Sequence, residues 1–554
     1  MEKATLKAIK RKIEIGRERI ANMSQLSKNA AKSNEELLMR ILSENKDTVY
    51  GRKYGFGNIK NVKEYMEKAP LTEYSDYEEY IESILNGGEN ILSARRPVHF
   101  AESSGSSGLP KKVPMCAEAL EMFTDYTLNV CFGAMENTLG DNWKKSRGLS
   151  LANVRLKNLN GYSYGAVSSK IREKYKDVEH YVYTSPLAAT YPGGETDTKY
   201  LHLRFALMEE DLSFITCAFL NTAVDAMKYF EDNWEMLAGD IERGTVNEDI
   251  IMPPRVRKEI SEGIKPMPGR GRFIRKECEK GFDGILTRIW PDFKFIYGIG
   301  GGSFSVYADK MRRYMGGALL NESIYSASEG IFATHIAPED DGMVMILDSA
   351  FYEFIDIERG GGPKTVGEIE KGRDYELVIT NLSGFYRYKM LDVIKVVGFW
   401  GTCPVIKFLY RKNQIVSLAG EKTNDYAMQS AINAFSEKTG ADVAEYSLYP
   451  DYSHSPARYI VFMEIPGGIK KERLSEYESA LDLEIGRFNR SYLDKRKLGI
   501  IAPLKINMLR EGSYAVYRQL MCAKGGASGQ IKPVRLIDNK FRESFFFSMI
   551  QKME

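Results

Sequence analysis

Along the first 90 residues, apolar side chains recur at intervals of three and four. In "LKAIKRKIEIGRERIANM", Leu6, Ile9, Ile13 and Ile20 fall on one face, the spacing of an amphipathic helix. The stretch "SDYEEYIESIL" places Tyr77, Ile81, Ile84 and Leu85 on one face, with Ser75 positioned to cap the helix start. The pattern then changes. "RPVHFAE", "FKFIYGI", "YELVIT" and "DVIKVVGFW" read as strands, and "ALEMFTDYTLNVCF" and "VYADKMRRYM" between them as helices. Such interleaving predicts an α/β core. From about residue 425 a third pattern begins: helix "YAMQSAINAFSEKTG", strand "RYIVFMEI", helix "RLSEYESALDLEIGRFNRSYL" and a strand-rich tail. That predicts a separate α+β domain of about 130 residues, an ordinary domain size. The boundary falls in "YRKNQIVSLAGEKTND", residues 410–425, giving domains 1–415 and 416–554.

At 554 residues the chain exceeds the size a single core supports, so two or more domains are expected. Hydrophobic residues at 43% and charged residues at 27% describe an ordinary globular protein. With 77 basic against 75 acidic residues the net charge is +2, which supplies no field to gather a polyanion. Neither nucleic acid nor a membrane is therefore expected as a partner. The basic bias of the first helix is local, and its apolar face lacks the aromatics of a membrane-surface anchor, so it reads as a packed surface helix. The six cysteines form no C-x-x-C and the five histidines no H-E-x-x-H, which argues against a zinc site or a disulfide framework. No apolar run approaches the ~20 residues of a membrane span, and the charged start lacks a signal-peptide core. Cytoplasm and a monomeric state are the default expectations.

Four segments carry candidate chemistry. "AESSGSSGLPKKVP", residues 101–114, packs serines and glycines ahead of two lysines between a strand and a helix. Such a loop can converge backbone N–H groups on an anion, although a Ser/Gly linker has the same composition. It lacks the Walker spacing. "FKFIYGIGGGSFSVYADKMRRYMGG" runs a strand through glycines into a helix, either a tight turn or a ligand loop, and "NESIYSASEG" follows with Glu329 among small residues. That carboxylate could hold Mg²⁺ beside a triphosphate or be a solvated loop acid. In "SGFYRYKMLDVIKVVGF", Asp392 precedes an apolar strand, where a carboxylate can accept both ribose hydroxyls. In "GASGQIKPVRLI", Lys532 follows a Ser/Gly turn and could deliver charge to a phosphate from a mobile domain, or be a surface lysine.

Taken in order, "SSGSSGLPKKVP", "GGGS", "YSASE", "YRYKMLD", "YRKNQIVSLAGEK" and "GQIK" resemble the motif series of the adenylate-forming superfamily. The likeness is strongest to the Gretchen Hagen 3 (GH3) family, the auxin-responsive acyl acid amido synthetases, through "APLTEYSDYEEYIESILNGGENILSARRPVHFAESSGSSG", "IYSASEGIFATHI", "RKNQIVSLAGEKTND" and "GASGQIKPVR". The resemblance implies a large N-terminal domain of β-sheets flanked by helices plus a β-barrel, and a small mobile C-terminal domain. It also implies ATP and Mg²⁺ as cofactors, with a small carboxylic acid and an amino acid as substrates. Ser103, Ser104, Gly105, Ser106 and Ser107 would cradle ATP phosphates, assisted by Lys111 or Lys112. Gly302 and Ser303 would flank adenine with Tyr325, Ser328 would also bind the nucleotide, and Glu329 would be catalytic and lie at the metal. Asp392 would hold the ribose with Arg411 nearby, Lys422 would sit at the hinge and Lys532 would be catalytic. Leu391 stands where the family pattern has glycine, and "GLPKK" is closer to the wider superfamily than to plant members.

The implied reaction activates the acid as an acyl-AMP with release of pyrophosphate, then passes the acyl group to an amine. Domain rotation about the hinge would separate the two steps. Two rivals share the same motifs. One is an acyl-CoA ligase, in which a thiol intercepts the adenylate; the other is a nucleotide-binding regulatory protein without turnover, motivated by Leu391.

Overall fold

The computed structural model describes residues 2–551 apart from 103–110, 193–195, 301–304, 323, 339, 413–415, 417, 420, 422 and 525–530. The chain forms two units. The first takes the described residues of 1–103, 110–390 and 394–407, the second those of 391–393 and 408–554.

The first unit is organised by a parallel sheet of Leu149–Ser150, Phe214–Phe219, Phe295–Ile299 and Leu319–Asn321, in that order. Both faces are covered, as a parallel sheet requires. Because side chains alternate along a strand, Ile215, Ile296 and Leu320 join a core with helices Thr198–Met208, Leu220–Arg243 and Pro268–Cys278. Phe214, Phe295 and Leu319 face the other way and meet Phe132, Trp143, Ile9 and Ile13. The N-terminal helix Glu2–Ser27 thus buries Ile9 and Ile13 inside the domain, whereas Leu6, placed on the same face by its spacing, is exposed and Ile20 half-buried. It crosses Val130–Leu139 so closely that a Cβ on Gly16 would lie 1.8 Å from the carbonyl oxygen of Asn129, and one on Gly133 2.8 Å from the backbone of Gly16. Only glycine fits either side of that crossing.

Pro97–Glu102 and Lys112–Cys116 pair antiparallel, so residues 103–110 connect adjacent strands; Pro97–Glu102 pairs in parallel with Tyr162–Gly165. A further sheet has eight strands, running from Lys364–Thr365 at one edge to Ile324–Ala327 at the other, with Asp374–Asn381, Tyr388–Trp400 and Cys403–Arg411 central. No pairing that would close it into the expected barrel is among the described residues.

In the second unit, Glu445–Asp451, Arg458–Glu464 and Lys505–Met508 form a three-stranded sheet. Val461 and Met463 face helices Asp425–Thr439 and Leu474–Phe488, whereas Ile460 and Phe462 face Tyr514, Tyr517 and Phe546.

Two local expectations are corrected. The helix ending at Leu85 begins only at Glu78 and has no side-chain cap among the described residues; Ser75 lies inside a preceding 3₁₀ turn, Tyr74–Tyr77, which is itself capped by Glu73 and Asp76, Glu73 N donating to Asp76 Oδ2 at 2.8 Å. The tail is helical over Ser513–Ala523 and Lys540–Ser548, not strand-rich. Its aromatics favour strands as isolated residues, but Tyr514 and Tyr517 repeat at a helical interval and pack one helix face.

Candidate active site

The strands that flank residues 103–110 bring several expected residues together. Ile324–Ala327 and Gly330–Thr334 form a hairpin in which Ala327 pairs with Gly330, so Ser328 and Glu329 are the two residues of the turn. Ser328 Oγ lies 3.5 Å from the carbonyl oxygen of Glu102, tying this turn to the last residue before the serine-rich connection. Glu329 is nonetheless buried, at 8% exposure. Its backbone oxygen accepts from Asn381 Nδ2 at 2.8 Å, and its Oε1 accepts from the hydroxyl of buried Tyr388 at 3.2 Å. That same hydroxyl accepts from Lys111 Nζ at 3.3 Å.

Lys111, Tyr388 and Glu329 therefore form one polar chain. The Lys111 ammonium lies over the rings of Tyr74 and Tyr388, at 5.1 and 6.0 Å from their centres. Lys112 is fixed through its backbone instead, its N–H donating to Tyr74 Oη at 2.8 Å. Burial raises the Tyr74 hydroxyl above its ordinary range, which keeps it neutral in this role. Tyr325 is buried on the hairpin with its ring 5.3 Å from that of Phe332.

Asp392 is buried at 3% exposure, and Arg411 Nε donates to its Oδ1 at 2.7 Å. Leu391, directly before it, has φ +59°. The residue in the glycine position thus adopts the left-handed conformation that glycine takes freely and a leucine takes at a cost of about 1–2 kcal/mol. Lys532 is exposed in the second unit. It lies three residues before Arg535, which is buried and ion-paired to Glu445 Oε2 at 2.9 Å, so the chain after it is pinned to the small sheet. Ser103, Ser104, Gly105, Ser106, Ser107, Gly302, Ser303 and Lys422 lie outside the described residues.

Sequence reasoning passed over Tyr388 and Glu421. Tyr388 sits inside "YRYKMLD", but among 33 tyrosines no local pattern singles it out. Glu421, buried at 3% exposure, accepts the N–H groups of Leu418 and Ala419 at 2.7 and 2.8 Å and the hydroxyl of Tyr459, which holds Leu418 and Ala419 to the small sheet within the second unit. In the same motif as Tyr388, Arg387 is structural: buried, it grips Glu353 with two nitrogens and donates to the carbonyl of Ala69 at 2.6 Å.

Residues 19–320 match the model of the GH3 family N-terminal domain, residues 343–411 the central domain and residues 426–540 the C-terminal domain. The chain belongs to the GH3 family. A jasmonoyl–L-amino acid synthetase of Oryza sativa subsp. japonica is 28% identical to this GH3 chain over 559 residues, covering 94% of each protein. A probable indole-3-acetic acid-amido synthetase of Arabidopsis thaliana is 27% identical, covering 93% of this chain and 90% of the relative. Among solved structures, an acyl acid amido synthetase superposes with a TM-score of 0.85 at 23% identity over 96% of each chain. A 2-hydroxyisobutyryl-CoA ligase in its postadenylation state superposes at 0.52 with 11% identity, over 96% of this chain and 91% of the ligase. Both structures share the mixed α/β fold, with its large N-terminal and smaller C-terminal domain.

Proposed function

We propose that this GH3 chain is an ATP-dependent acyl acid amido synthetase that acts on a small carboxylic acid and an amino acid. The observation that carries the proposal is the Lys111–Tyr388–Glu329 chain at the strand ends flanking the serine-rich connection, inside a family whose curated relatives are named as amino acid conjugating synthetases. A carboxylate is a poor electrophile, so its oxygen attacks the α-phosphorus of ATP, the α–β bridging bond breaks and pyrophosphate leaves. The amine then attacks the carbonyl carbon, the bond to AMP breaks, and the amine proton passes to solvent.

The residues present fit a magnesium nucleotide. Glu329 commits one carboxylate oxygen to Tyr388, and no group of three metal-ligating side chains occurs among the described residues. One protein carboxylate completed by phosphate oxygens is how Mg²⁺ is commonly held beside a nucleotide. When bound, the ion would offset charge gathering between two anions. The chain's own part would be positional. Residues 103–107 with Lys111 would hold the phosphates, Tyr325 and Ser328 with residues 302–303 the adenine side, and Asp392 with Arg411 the ribose. Lys532 would approach the reacting oxygens in one closure state and withdraw on rotation about residues 410–425, Lys422 included, which would admit the amine and exclude water. The left-handed φ of Leu391 is one that glycine adopts freely, which supports reading Asp392 as the ribose carboxylate despite the substitution. Among the described residues no helix is long and apolar enough to cross a membrane, and we place the enzyme in the cytoplasm as a monomer.

Exchange of labelled pyrophosphate into ATP tests the first step. Exchange that requires a carboxylic acid and disappears in Glu329→Gln supports adenylation; no exchange with any member of a broad acid library contradicts it.

A further inference from the structure

A pocket of about 210 Å³ opens in the first unit, lined by Ile84, residues 87–91, residues 93–97, Tyr162 and Ser383, none of them a residue assigned above. Arg95 is already neutralised, paired to Glu44 and Glu118 at 2.7 and 2.6 Å. Arg96 is exposed and makes no hydrogen bond or ion pair among the described residues; its guanidinium lies 5.9 Å from the ring centre of Tyr162. The amide N–H groups of Glu89, Asn90 and Ile91 donate to no protein group among the described residues. Asn90 has φ +54°. Successive backbone N–H groups beside a left-handed residue are one way a chain binds oxyanions. Glu89, also on the lining, is exposed and carries the one like charge an anion would meet there.

We propose that this pocket binds a small oxyanion, a phosphate or a carboxylate, with Arg96 as its cation and the 89–91 amides as its donors, separate from the ATP site. The position matters, because its lining includes Pro97, the first residue of the strand that leads into the serine-rich connection, and Ser383, five residues before Tyr388. An occupant would therefore touch the lead-in to both parts of the candidate active site.

The test is calorimetric titration of the full chain at low ionic strength with inorganic phosphate and, in a parallel arm, succinate, each with a saturating non-hydrolysable ATP analogue present. Binding is read without turnover, so failure of the amide-forming reading would leave the result interpretable. Saturable binding of one probe is expected, weakened about tenfold by Arg96→Gln and tightened by Glu89→Gln as the like charge is removed. The proposal is overturned if neither probe binds saturably with the analogue in place, if Arg96→Gln binds as the unmodified chain does, or if Glu89→Gln weakens binding, which would mean that the site prefers a cationic or zwitterionic ligand.

Discussion

Replacing Tyr388 with phenylalanine removes one oxygen atom and, with it, both links of the polar chain at the candidate active site. The hydroxyl donates to Glu329 Oε1 at 3.2 Å and accepts from Lys111 Nζ at 3.3 Å, and the residue is 2% exposed. A hydrogen bond to a charged group contributes about 1.5–3 kcal/mol. Both contacts are long for charge-assisted bonds, so the lower end, about 1.5 kcal/mol of stability, is expected to be lost. The functional effect should be larger and of a specific kind. If Glu329 holds Mg²⁺ beside ATP, Tyr388 fixes its carboxylate, and loss of such an orienting partner typically costs 10–100-fold in metal affinity. Titrating Mg²⁺ in acid-dependent AMP formation should therefore show a midpoint raised at least about tenfold, with much of the maximal rate recovered at high Mg²⁺. A variant with an unchanged Mg²⁺ midpoint and an equally reduced rate at every concentration would refute this reasoning, because Tyr388 would then be acting on stability alone.

Three further outcomes are expected. Glu353→Gln should destabilise the first unit by about 3 kcal/mol in urea denaturation, since it leaves the buried Arg387 cation without its counter-charge; a loss below about 1 kcal/mol would show that the guanidinium is satisfied by the carbonyls alone. Gly133→Ala should cost about 1–3 kcal/mol by forcing apart the crossing with Gly16, which melting temperature against the unmodified chain will report. Burial holds His99, His202 and His335 down at about 4. The unfolded chain takes up protons on them near 6.5 while the folded chain does not, so stability is full above about pH 6.5 and falls as pH drops towards 4. Between pH 7.5 and 5.5 each should subtract about 1 kcal/mol, and denaturation midpoints identical at those two pH values would contradict it.

The strands and helices with a clear period were legible in the sequence. "FKFIYGI" reads as a strand because Phe295 and Ile296 serve opposite cores, and the N-terminal helix declares its buried stripe through Ile9 and Ile13. What escaped depends on partners remote in the chain. Glu353 and Arg387 stand 34 residues apart and nothing local marks either. Tyr388 gains its position only when the hairpin carrying Glu329 folds against it. The tail deceived because β-prone aromatics there pack on a helix. Leu391 was visible as a departure from glycine, but its left-handed φ of +59° is not readable from the sequence.

Mass spectrometry of the products formed from MgATP and a carboxylic acid library, with amino acids or CoA as parallel acceptors and Lys532→Ala as control, tests the proposed reaction most directly. Acid-dependent AMP together with an amide that forms only when an amino acid is present, and that Lys532→Ala abolishes, is the predicted result. A thioester that forms with CoA in place of the amide, or no acid-dependent AMP from any acid, would contradict it.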